Sequence, residues 1–369
     1  MKRWAVQFGI SVMLLALAGT ASAHAALLYS VTDLGDLPGG ENASEAFAIN
    51  NRGQVVGVSS VVDGRRAFLY SNGALTDLGV LEADHRYSMA TDINDLGEVS
   101  GRSIIDEELW NTQSLRPFLY RNGQMVPLGS LGGGYGFANS INNVSEVVGL
   151  SSDANGVTHA FLWSSGAMSD LGSLEGGSYS CAYGINDNTQ VVGTSVLNGF
   201  LWQNGQMSDL GDLVGGLGRT LAFAVNNLSQ VVGYSGPLDS EHSFPFVWQD
   251  GVMEYLGSPS DPTPSGYARG INNRGEVVGV VSGYPFVWDS VNGMQDLNDL
   301  LDDSGAGWRL THAYDINDRG QIVGFGRNPS GFSHGFLLTP IPEPATIIIW
   351  SLLGALATTV GCWRRRRAA

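Results

Sequence analysis

The stretch Ile49-Asn50-Asn51-Arg52-Gly53-Gln54-Val55-Val56-Gly57 recurs six times, at 93–101, 141–149, 185–193, 225–233, 271–279 and 316–324. In all seven copies the second residue is Asn and the ninth is Gly, and successive Asn residues lie 44, 48, 44, 40, 46 and 45 positions apart. A period of this size marks one small supersecondary unit that must stack on its neighbours to bury itself. The repeat therefore replaces the two or three domains that 369 residues would suggest with one stacked or closed array.

Two further markers follow the repeat. The first is a short aromatic and branched run such as Ala67-Phe68-Leu69-Tyr70, Ala160-Phe161-Leu162-Trp163 or Pro285-Phe286-Val287-Trp288, the composition of a strand. In four copies Asn72-Gly73, Asn122-Gly123, Asn204-Gly205 or Asp250-Gly251 comes next, a strong hairpin signal because both central residues must take positive φ. The second marker, found after five copies, ends in Leu-Gly, and in three of those in Asp-Leu-Gly. Each unit thus reads as four strands, here a to d from Glu45–Ile49, 54–59, 67–70 and 75–78 of the first copy.

The Asn-Asx-x-Gly segment is expected to join a to b as a tight hairpin, with Asn and Gly supplying left-handed conformations. Strands b and c are nearly continuous apolar runs, as sheets covered on both faces require. Four-stranded sheets packed around an axis satisfy this, so the fold class is all-β, a seven-bladed β-propeller. Repeat seven ends at Thr339 without a d strand, while Tyr29-Ser30-Val31-Thr32-Asp33-Leu34-Gly35 is a d strand with nothing before it. If that strand completes the last blade the ring closes with no exposed edge, whereas an open solenoid would leave it unexplained.

The ends read as targeting segments. Lys2 and Arg3, the apolar run 12–17 and the small residues around Ala23 and Ala25 form the pattern of a cleaved secretory signal, residues 1–25. Residues 345–363 are apolar and long enough for a transmembrane helix, and Arg364, Arg365, Arg366 and Arg367 should stay cytoplasmic, which leaves the body, 27–340, outside. Between the ends lie 34 Asp and Glu against 13 Arg and no Lys, a formal charge near −21. Such a surface argues against nucleic acid and anionic lipid as partners. Cys181 and Cys362 would lie on opposite sides of the membrane, so no disulfide is expected, and Cys181 reads as a small core residue.

The copies as a set, for example His159-Ala160-Phe161-Leu162-Trp163 with Met168-Ser169-Asp170-Leu171-Gly172 and Gly184-Ile185-Asn186-Asp187-Asn188, resemble the bacterial extracellular HAF repeat. Arg66, Arg116 and Ser243 depart from the family's triplet near its His or Ala place. The resemblance implies an exported repeat protein. Pro342-Glu343-Pro344, the apolar span and the terminal Arg cluster, residues 341–369, resemble the PEP-CTERM sorting signal. That resemblance implies an exosortase as processing partner and transfer of the body to the envelope or its exopolysaccharide. Pro342 and Pro344 fix an extended, unpaired backbone of the kind a processing cleft could hold.

The sequence offers little chemistry. The recurrent Gly-x-Ser of 57–59, 149–151 and 193–195 lacks the last Gly of a nucleophile elbow, and the histidines at 85, 159, 242, 312 and 334 show no metal-ligand spacing. No pair of carboxylates stands out as a glycosidase couple. Asn94-Asp95-Leu96-Gly97 and its relatives could offer oxygens to Ca²⁺, but they lack the spaced acidic series of a calcium loop. No cofactor is expected.

The gap from the closing Gly of strand b to the Phe of strand c runs 10, 16, 11, 6, 12, 6 and 11 residues, so length varies on the face of the b–c and d–a loops. Variable loops on a rigid scaffold are where binding residues gather. This selects Asp106, Glu108 and Trp110 of the long insert 104–114, with His242 and Tyr284, as a candidate binding face. The expected function is a non-catalytic exported protein that binds or structures extracellular polysaccharide; a carbohydrate-active enzyme and a calcium-stabilised adhesin are the alternatives.

Overall fold

The structure is a computed structural model that describes residues 27–105, 115–174, 177–216, 218–239, 242–257 and 265–342. It contains seven four-stranded antiparallel sheets, a seven-bladed β-propeller. Blade 1 runs Ser44–Ile49, Val55–Val61, Gly64–Ser71 and Ala74–Asp77, from the inner strand at the axis to the outer one. The other inner strands are Tyr87–Ile93, Gly132–Ile141, Ser180–Ile185, Gly218–Val225, Gly266–Ile271 and Arg309–Ile316, and each packs against the inner strands beside it. Leu28–Asp33 pairs with Ser333–Ile341 as the outer strand of blade 7, which closes the ring as the orphan strand foretold.

Seven apolar clusters hold the blades together, one at each interface. Between blades 1 and 2, for instance, Ala48, Val56, Ala67 and Leu78 meet Ala90, Ile93, Val99 and Phe118. The row Ala46–Gly57–Phe68 crosses three strands of blade 1, and the same Ala–Gly–Phe row recurs in every blade. Its Gly is fixed by crowding. A Cβ at Gly57 would lie 1.9 Å from the Glu45 carbonyl oxygen and 2.9 Å from the Phe68 ring. No side chain fits there.

The outer hairpins turn as expected, with Asn72 and Gly73 at φ 52° and 83°, and a fifth such turn at Ser165-Gly166. The a–b turns differ from expectation. Asn50 and its counterparts do not take left-handed φ; only the fifth residue does, and in blades 3, 4 and 5 that is Ser145, Thr189 and Ser229 rather than Gly. The Asn50 carbonyl accepts from Gly53 N–H, and Asn50 N–H donates to the Gln54 carbonyl, a four-residue turn closed by one left-handed residue. This frees the Asn side chain.

Tyr29–Pro340 forms one unit, and Met1–Leu28 with Ile341–Ala369 forms another that lies almost wholly outside the described residues. Ala23, Ala25, Glu343, Pro344, the span 345–363 and Arg364 to Arg367 lie there. Among the described residues no helix is long and apolar enough to cross a membrane.

Candidate functional site

Two rings of hydrogen bonds encircle the axis at the a–b turns. Asn50 Nδ2 donates to the Asn94 carbonyl at 2.9 Å, Asn94 to Asn142, and so on through Asn186, Asn226, Asn272 and Asn317 back to Asn50. The same amide also bonds Gln54 or its Glu or Gln counterpart, while Oδ1 accepts two turn N–H groups. In the second ring, each backbone N–H of the third motif residue donates to the side chain of the next third residue: Asn51 to Asp95, Asp95 to Asn143, onward to Asp318 and back. The Asp95 and Asp318 oxygens that made these turns calcium candidates are thus taken by N–H donors.

Beside this rim, along the axis, lies a cavity of about 360 Å³, within the range of small-molecule sites. Its walls come from a bulge in every inner strand, one residue after the invariant Ala. The bulge turns Phe47, Thr91, Asn139, Tyr183, Phe223, Arg269 and Tyr314 toward the axis. Phe47 meets Tyr314 at 5.4 Å, and across the ring Tyr183 meets Phe223 at 5.3 Å. The Arg269 guanidinium lies over Phe223 at 4.5 Å, and Arg102 lies over Phe137 at 5.1 Å.

Two carboxyls share the cavity. Asp92 takes the Ser140 hydroxyl at 2.6 Å and Ile141 N–H at 2.9 Å from the next blade; Asp315 takes Ile49 N–H at 2.9 Å, likewise from the next blade. Both line the cavity wall at depth in the protein. That depth pushes Asp92 up to about 6 and Asp315 up to about 7, the latter raised further by Asp92. The two do not readily ionise together.

The sites selected from sequence fall elsewhere. Asp106, Glu108 and Trp110 lie outside the described residues. His242 and Tyr284 are exposed on adjacent blades at the b–c side, Tyr284 to 54%. Ser59, Ser151 and Ser195 hold the d–a loops: each hydroxyl accepts from the backbone there, such as Leu37 N–H. Cys181 is buried, and burial pushes its thiol up to about 12. His159 and His334 bond Asp170 and Asp33 of the outer strands, so each His is a clasp between strands c and d. Glu82, Asp84 and His85 bring ligand atoms within 4.8 Å of one another, a local grouping that no spacing between histidines reveals.

Sequence reading missed the axial cavity. The signal was present: between the fixed Ala and the fixed Asn, the position after the Ala runs Phe, Thr, Asn, Tyr, Phe, Arg and Tyr, and the one after it Ala, Asp, Ser, Gly, Ala, Gly and Asp.

Compared with protein families and with curated proteins, the chain matches none. Among solved structures it is similar to the extracellular domain of a B. thetaiotaomicron protein assigned to the one component systems, with TM-score 0.53, 8% identity, and coverage of 85% of this chain and 40% of that one. It is also similar to a Mycobacterium tuberculosis puromycin-hydrolyzing peptidase (TM-score 0.48, 11% identity, 87% and 58% covered) and to the Pyrococcus horikoshii acylaminoacyl peptidase (0.47, 10%, 78% and 50%). The chain spans about half the length of these proteins. At such identities the likeness is one of fold: the class is a β-propeller.

Proposed function

We propose that this is an exported, non-catalytic binding propeller whose axial cavity takes a saccharide unit of extracellular or envelope polymer. The carrying observation is the cavity wall. The bulges on an otherwise uniform scaffold present four aromatic rings, among them Tyr314 with its hydroxyl, and the Arg269 guanidinium at one level, a mixture suited to sugar rings, which offer both C–H faces and hydroxyl edges. Export rests on the signal-like start, and delivery rests on the tail that resembles an exosortase substrate. In the native host the exported protein should have an intact mass lacking Arg364 to Arg367; a retained Arg cluster would refute processing.

The body, residues 27–342, should bind polysaccharide of the host envelope in titration calorimetry, and Phe223→Ala should weaken that binding at least tenfold while deletion of 106–114, which spares the buried strand residue Ile104, leaves it unchanged. The opposite ranking would return binding to the loop face.

A carbohydrate-active enzyme is the second reading, favoured by the raised pair Asp92 and Asp315. Against it, both carboxyls spend oxygens on backbone N–H groups of the neighbouring blade, the work of inter-blade ties. Turnover on a polysaccharide panel that Asp315→Asn abolishes would reverse this ordering.

A further inference from the structure

Resting on that reading, we infer that the axial cavity recognises an acidic sugar, one bearing a carboxylate such as a uronic acid, and that Arg269 receives the carboxylate. The chain as a whole carries a formal charge of −16. The cavity wall is less one-sided, with two Arg against two Asp, although the rim beside it bears Asp95, Asp187 and Asp318. Arg102 and Arg269 both line the cavity. Facing them are Asp92 and Asp315, whose proximity and depth disfavour simultaneous ionisation.

Arg269 has the disposition of a receiving group. It stands on a bulge in the inner strand of blade 6, between Phe223 of blade 5 and Tyr314 of blade 7. Among the described residues it forms no hydrogen bond and no ion pair, although 34 acidic residues lie in the body; its packing is the stack on Phe223. The other polar bulge residues are already engaged: Thr91 donates to the Ala138 carbonyl at 3.1 Å and Asn139 to the Ala182 carbonyl at 2.7 Å, both in the next blade. Those two are ties between blades. A guanidinium offers five N–H donors in a planar fork matched to a carboxylate, and stacking on an aromatic ring fixes its plane. Tyr314 on the next blade supplies a face for the pyranose ring and a hydroxyl for its edge. Asp315, when protonated, adds a donor instead of a repelling charge.

The test is titration calorimetry of residues 27–342 with trigalacturonate, its methyl ester, a neutral glucose trisaccharide and inorganic phosphate. Trigalacturonate should bind at least about tenfold tighter than its ester, the discrimination one charge-assisted bidentate contact gives. Arg269→Met should erase that preference, while Arg52→Met, which removes one exposed charge at an a–b turn, should keep it; matching melting temperatures would establish that both variants fold. Equal affinity for acid and ester, or a preference that survives Arg269→Met, would overturn the inference and leave the saccharide-binding reading standing. Phosphate competing as well as trigalacturonate would show an anion site without sugar recognition, which also overturns it. If no saccharide of either kind binds, the binding function itself falls and the inference with it.

Discussion

The invariant residues of the repeat are explained by contacts between blades and by crowding within them. Asn186 shows how much one side chain does: its amide reaches the Asn226 carbonyl of the next blade and Gln190, while its oxygen accepts the N–H groups of Asn188 and Gln190. Replacing it with Ala strands the buried Gln190 N–H and should cost about 1–3 kcal/mol in urea unfolding. A loss within about 0.5 kcal/mol, the usual effect of a neutral surface change, would show that the ring is incidental. The Asn was legible as a turn residue because Asn, Asx and Gly cluster there, but that pattern does not reveal that the side chain spans blades while Gly53 alone takes the left-handed backbone. The closing Gly was legible only as a strand marker. Its reason, the 1.9–2.2 Å a Cβ would have to the carbonyl across the bulge, exists only once the strands are paired.

At the level of elements, the orphan strand was the most informative part of the sequence. Leu28–Asp33 lies against Ser333–Ile341, with Tyr29 only 2% exposed and packed among Leu297, Leu310 and Phe336. Deleting residues 27–36 removes that strand and Leu34 from the interface with blade 1, and leaves Ser333–Ile341 with an open edge. The truncated body should melt at lower temperature and form oligomers by size exclusion; a monomer with the parent's melting point would contradict closure by this strand. Blade 6 was the least legible unit. Its outer strand Gly293–Asp296 does not run into Leu-Gly but into a single helical turn at Leu297–Leu300, so the Leu-Gly marker is missing although the strand is present. The bulges that shape the site went unread because a bulge changes no residue type: Phe223 reads as one more core aromatic until the register shift between Ala222 and Ala224 turns it inward.

For the molecule as a whole, the axis couples stability to pH. Asp315, raised to about 7 and faced by Asp92, Arg269 and Tyr314, holds its proton in the folded protein where the unfolded chain has released it. The folded state therefore binds more protons, and this group's effect is an increasing loss of stability as pH rises from about 4 to about 7, constant above. His85 and His312, lowered by burial, act in the opposite sense. The comparison that isolates Asp315 is the melting temperature of the parent minus that of Asp315→Asn, which should become more negative from pH 4 to pH 7. A difference independent of pH would mean that Asp315 ionises in the folded state as it does in the open chain.

The functional proposal places ligand at the axis rather than on the loop face. The measurement that bears on this most directly is a crystal structure of residues 27–342 soaked with an oligosaccharide prepared from the host's own exopolysaccharide. The expected result is sugar density in the axial cavity, one ring against Phe223 or Tyr314 and a charged group on Arg269. Density confined to the b–c loops near Tyr284, with the axis holding only water, would contradict it.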